Sequence, residues 1–204
     1  MPKSLNTRYR RPVSRSRRRK SRFKLSFAQV GIIVAIIGII IAWWLITITN
    51  ASQTYDVRGK PSLSAEFINS VLDHYHSPAA GKGQALYDDG VKYGIDPAYA
   101  LAFFMHESSF GTTGVAKVTR SLGNIRASKG YQQFEGYRMY KTWEEGFEDW
   151  YKLIAVQYIA QWKLTTVDAI VPVYAPGSDN NDVTAYVQAV KNAVDAWRSG
   201  SVEV

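Results

Sequence analysis

Glu107 stands out by its setting. It sits near the end of the stretch AYALAFFMHESSFG, residues 98–111, with Phe103 and Phe104 four and three residues before it. At helical spacing both rings lie on the same face as the glutamate. Apolar surroundings and the negative end of a helix dipole both disfavour a carboxylate, so the pKa should rise. A carboxyl that stays protonated near neutral pH is a general acid, able to give its proton to a glycosidic oxygen. The competing reading is a glutamate that caps its own Ser- and Gly-rich loop through backbone N–H groups, which would lower the pKa. The local sequence leaves both open.

Glycoside cleavage usually needs a second carboxylate, as nucleophile or as base for water. Glu135 is the only acidic residue between Glu107 and Glu144. It fits that role, and equally that of a solvated strand charge. Glu144, Glu145, Glu148 and Asp149 follow Thr142 and read as solvent-facing helix charges. His74 and His76 are two residues apart and point to different faces of a helix. With no acidic partner at ligand spacing, neither a metal site nor a cofactor is expected. The chain has no cysteine, which excludes thiol chemistry and thiolate metal sites.

The elements that must position Glu107 follow from periodicity and capping. Ser64 reads as an N-cap, with Glu66 in the first turn and Leu63 and Ile68 as a hydrophobic staple. That helix stops at Ser77-Pro78. A second covers residues 84–93 and ends at Gly94. Asp96-Pro97 starts the third with an N-cap and a proline at N1. The third helix is apolar nearly all round, as the buried centre of a domain is. From Val118 to Tyr140 helical periodicity is lost, and glycines among aromatics suggest short strands. Thr142-Trp143-Glu144-Glu145 matches a capping box, and Trp143, Phe147, Trp150 and Tyr151 begin an apolar stripe. A short helix is predicted over residues 166–171, then a loop YAPGSDNND. Tyr186, Val190, Val194 and Trp197 mark a last amphipathic helix over residues 183–197.

The charge is unevenly placed. Residues 1–26 hold eleven of the 25 Lys and Arg, and no acidic residue precedes Asp56. The remainder carries 14 basic and 17 acidic side chains. The tail has too little apolar surface to fold and reads as disordered. Residues 27–48 are apolar and uncharged for 22 residues, long enough for a helix across a bilayer. The run exceeds the core of a cleaved signal peptide, and no clear cleavage site follows. It is therefore expected to anchor the chain with the basic tail in the cytoplasm and the domain outside. Residues 49–61 read as a linker, 62–198 as one domain and 199–204 as a terminal tail. The net acidic domain carries no nucleic-acid-binding motif, so no such partner is expected.

GIDPAYALAFFMHESSFGTTG resembles the catalytic helix of lysozyme-like muramidases, lytic transglycosylases and, most closely, the glucosaminidase family of bacterial cell-wall hydrolases. Three later segments match in order: Ser121-Leu122-Gly123-Asn124-Ile125-Arg126, Tyr137-Arg138-Met139-Tyr140, and Tyr174-Ala175-Pro176 with Asp179-Asn180-Asn181. The resemblance covers residues 62–198. It implies a mainly α, α+β lysozyme-like fold with a small β-like lobe and a groove between lobes. It implies Glu107 as the acid, a second carboxylate in this lobe (here Glu135) in some members and the substrate's own N-acetyl group in its place in others, and Tyr174 at the active site. Peptidoglycan is the substrate it implies; Asn124, Arg126, Tyr137 and Asn180 are the candidate sugar contacts, though Asn124 could equally turn its loop. A lytic transglycosylase or a non-catalytic glycan-binding module remains an alternative.

Overall fold

A computed structural model describes residues 32, 34, 36–41 and 54–204. Residues 32, 34 and 36–41 are helical and form part of a unit of their own. Most of the predicted membrane span, 27–48, lies outside the described residues, as does the basic tail. Among the described residues no helix is long and apolar enough to cross a membrane.

The second unit begins at Thr54. The segment read as a linker is therefore partly domain. Val57 is buried, and its backbone bonds both ways, to Thr165 at 2.8 Å and to Asp96 at 3.0 Å. Six α-helices of eight or more residues follow, with a two-stranded hairpin between the third and the fourth. Helices Ala65–His74 and Gly83–Tyr93 pack against each other; the first ends at His74, ahead of the predicted stop at Ser77-Pro78, and the second at Gly94 as predicted. Ser64 accepts from the Phe67 N–H at 3.2 Å, and Gly94 closes the second helix in the left-handed region.

Helix Pro97–Ser108 is the centre. Asp96 Oδ1 accepts from the Ala98 N–H at 3.1 Å, and Pro97 takes the first position, where a missing N–H costs nothing. Residues 97–104 are all buried. Helix Val183–Arg198 packs along it, and Arg198 reaches back to Asp96 at 2.7 Å. The helix ends in three successive left-handed residues, Ser109, Phe110 and Gly111. Phe110 and Ser109 are strained there by about 1–2 kcal/mol each. Phe110 is held by full burial against Tyr75 and Trp197.

The stretch 118–140 is less strand-like than its glycines suggested. It contains a single turn of helix, Ala116–Thr119, and the antiparallel hairpin Gln133–Phe134 with Tyr137–Arg138. Glu135 and Gly136 form its tip with φ of 48° and 82°, the pattern of a tight hairpin turn that follows the strand twist. Arg126 bridges to Tyr137, adding a third short extended segment.

Helix Trp143–Lys152 is capped by Thr142, which accepts from the Glu145 N–H at 3.2 Å. The returning bond of the predicted capping box goes from the Lys141 N–H to Glu145 at 2.8 Å. The helix continues as a π-helical segment, Leu153–Gln161. Helix Val167–Tyr174 is longer than predicted and takes Tyr174 out of the expected loop. Gly177–Asp179 adds a short 3₁₀ turn.

Candidate active site

The last turn of the central helix carries Glu107 out of the core and onto a cavity of about 190 Å³. The same cavity is lined by Asn124, Arg126, Tyr137, Tyr174, Asp179 and Asn181, among others. Five elements converge on it: the central helix, the loop that carries Asn124 and Arg126, the hairpin, helix Val167–Tyr174 and the segment leading into the last helix.

Burial pushes the Glu107 carboxyl up to about 7. Three groups oppose this by favouring the anion: the Tyr186 hydroxyl, the Asn124 amide and, through space, Arg126. Burial outweighs them. The Tyr186 hydroxyl donates to Glu107 Oε1 at 2.7 Å. Burial raises the Tyr186 pKa well above that of free tyrosine, so it keeps the proton it donates. Its ring lies against the central helix, stacked on His106 at 3.6 Å and tilted on Phe103 at 5.6 Å. The carboxyl is thus fixed on one oxygen.

Asn124 is in the left-handed region, and its Nδ2 donates to the Glu107 backbone carbonyl at 2.7 Å. It therefore both turns its loop and ties that loop to the helix end. Its Oδ1 is buried with no hydrogen-bond partner among the described residues. A substrate N–H or O–H would satisfy such an acceptor once the side chain turns it toward the cavity that Asn124 lines.

Tyr174 sits beside Glu107 with its hydroxyl engaged on both sides. It donates to the Gly123 carbonyl and accepts from Trp150 Nε1 at 3.2 Å. Gly123 is needed there, since a Cβ would come within 2.5 Å of Trp150 Cδ1 and 2.9 Å of the Tyr174 hydroxyl. Burial holds the Tyr174 pKa well above its ordinary value. Arg126 pairs with Asp179 at 2.7 Å across the cavity, both side chains substantially exposed. An exposed pair of this kind is worth under about 1 kcal/mol and opens readily.

Of the seven residues named from sequence, Glu107, Asn124, Arg126, Tyr137 and Tyr174 line one cavity. Glu135 is exposed at the hairpin tip and is not among the lining residues. Asn180 is exposed in the turn, while its neighbours Asp179 and Asn181 line the wall. Tyr186 was missed because its spacing placed it in the apolar stripe of the last helix. That spacing was right, yet the same ring that fills the core presents its hydroxyl to Glu107. Among the described residues no group of three or more His, Cys, Asp or Glu side chains could hold a metal ion.

No curated protein matches the sequence. Two solved structures of S. aureus autolysin E resemble the fold, each at 13% sequence identity. The protein alone gives a TM-score of 0.52 over 74% of this chain and 73% of that one. Its complex with the muropeptide NAM-L-Ala-D-iGlu gives 0.51 over 72% and 73%. The glucosaminidase family model, mannosyl-glycoprotein endo-β-N-acetylglucosaminidase, matches residues 83–198. That is more than half of the chain, and it falls on the helices that build the cavity; the chain is a glycoside hydrolase of the glucosaminidase family.

Proposed function

We propose that the chain hydrolyses the β-1,4 bonds of peptidoglycan next to N-acetylglucosamine, with Glu107 as general acid. The observation that carries this is the Glu107 carboxyl on the cavity, raised to about 7 by burial and oriented by Tyr186. Protonated, it gives its proton to the glycosidic oxygen as the C1–O bond breaks. The Asn124 Oδ1 accepts from the acetamido N–H and Tyr174 backs the loop that carries it. The acetamido oxygen of the same sugar closes on C1 from the opposite face. Water then opens that ring, its hydroxyl going to C1 and its proton to the Glu107 carboxylate, and the acid is restored. The substrate's own acetamido group thus does the work assigned elsewhere to a second carboxylate. The autolysin E complex, with a muropeptide bound on a related fold, supports peptidoglycan as the substrate class. The basic tail and the apolar run 27–48 support an uncleaved anchor with the domain outside the cell membrane.

Mass spectrometry of digested sacculi tests the reading. New reducing N-acetylglucosamine ends, absent with Glu107→Gln, are the expected products. A 1,6-anhydromuramic acid product would make the enzyme a lytic transglycosylase. Unchanged wall lysis by Glu107→Gln would remove the catalytic reading altogether.

A further inference from the structure

At about 190 Å³ the Glu107 cavity is smaller than most small-molecule sites, which run about 300–1,000 Å³. It does not end there. Asn124, Arg126, Tyr174 and Asp179 also line a second cavity of about 360 Å³. Arg138, Leu153 and Gln157 carry that one into a third of about 170 Å³, which reaches Tyr131 and Gln161. Adjoining cavities, a groove in three stretches with shared wall residues, thus follow one another from Glu107, between the hairpin strand at Arg138 and the π-helical segment, to Tyr131. The nine residues wound as a π-helix are unusual in length, and π-helical turns occur frequently at functional sites.

The far end has the chemistry of a sugar site. Gln157 and Gln161 bring neutral amides, each both donor and acceptor. Tyr131 has one ring face under the Arg138 guanidinium at 4.0 Å and remains 39% exposed. Its hydroxyl is held by Asp149 at 2.9 Å, so the ring is a fixed platform. Arg138 lines both of these cavities, with its guanidinium held by Asp149 at 2.7 Å. Amides and an aromatic face suit a pyranose with its hydroxyls and apolar ring face. A polyanion would call for a row of unpaired cations; here Arg126 and Arg138 are paired with Asp179 and Asp149, which leaves Lys152.

We propose that this groove holds the glycan strand and that Tyr131 and Gln161 form a distal sugar subsite, which makes the enzyme select long strands over short ones. This rests on the hydrolase reading of Glu107. The test uses the full chain and two alternating N-acetylglucosamine and N-acetylmuramic acid substrates, a tetrasaccharide and a strand several times longer. The readout is the ratio of kcat/KM for long over short. The wild-type protein is expected to prefer the long strand. Tyr131→Ala and Gln161→Ala should each cut that preference by up to about tenfold, and Tyr131→Phe should retain it. Gln161 lies on the opposite wall from the hairpin, so its variant decides the matter if Tyr131→Ala fails to fold. A wild-type enzyme without chain-length preference, or variants that keep it, would overturn the subsite. A wild-type enzyme that cleaves neither substrate overturns the hydrolase reading itself, and the subsite falls with it.

Discussion

The Tyr186 hydroxyl donates to Glu107 Oε1 at 2.7 Å, from a buried ring stacked on the neighbouring His106. The bond favours the carboxylate, against a burial that favours the acid and prevails. Tyr186→Phe removes only the oxygen and keeps the ring in place. The Glu107 pKa should then rise further above 7, by up to about one unit, since a hydrogen bond to a charged group contributes about 1.5 kcal/mol or more. The alkaline limb of the kcat/KM profile should move upward with it, while kcat at neutral pH falls because the carboxyl is less well oriented. An unmoved limb would mean that the tyrosine only fills space.

Glu107→Gln separates catalysis from stability. Loss of a general acid lowers kcat by about 10² to 10⁴. The folded pKa of about 7 lies above the ordinary value of 4.5. The folded state therefore binds the proton more tightly than the unfolded state. Below pH 4.5 the acid is protonated in both states and costs nothing. As pH rises through the window from 4.5 to about 7 the wild-type fold loses stability, by on the order of 3 kcal/mol when the window has been crossed. Glutamine does not titrate. The variant should therefore unfold at higher denaturant concentration than wild type at pH 8 and show little of that gain at pH 4.

Capping and periodicity made most of the frame legible in sequence. Ser64, Asp96 and Thr142 each cap the helix their position announced. Glu107 was legible because two phenylalanines beneath a carboxyl are a local pattern. What escaped depends on contacts distant in sequence. Tyr186 looks like any core tyrosine until the last helix is laid against the central one, 79 positions earlier. Asp149 read as a solvent-facing charge, but its side chain is only 12% exposed. It accepts from Tyr131, Tyr140 and Arg138 and so ties the hairpin to the helix. The π-helical segment 153–161 had no signature, because its apolar residues fit an ordinary helix. Val57 was hidden in a polar stretch too short to show a period.

Glu135→Gln should leave cleavage nearly unchanged. The residue occupies the first position of the hairpin turn with φ of 48°, exposed and away from the walls of the Glu107 cavity. The turn asks for a residue that tolerates a left-handed backbone, not for a charge. Kinetics on sacculi should therefore show a change of less than about threefold, against the 10² or more expected of a lost nucleophile or base. Glu135→Gly should if anything stabilise the hairpin, since glycine takes that conformation freely. A loss of activity in Glu135→Gln equal to that of Glu107→Gln would restore the two-carboxylate mechanism.

Gly123→Ala tests whether the floor of the site depends on a close approach. A Cβ at this position meets Trp150 Cδ1 at 2.5 Å, Tyr174 Oη at 2.9 Å and Trp150 Nε1 at 3.0 Å. The tryptophan is fully buried between Phe103, Phe104 and Tyr151 and has no room to retreat. The loop must therefore lift, and the bond from the Tyr174 hydroxyl to the Gly123 carbonyl breaks. Overpacking of this kind costs about 1–3 kcal/mol. A shift also displaces Asn124, the next residue, from the Glu107 carbonyl. The variant should show a lowered denaturation midpoint together with a kcat/KM loss that exceeds its unfolded fraction. If stability falls while the folded fraction retains full activity, the Gly123–Tyr174 contact supports the fold without positioning the site.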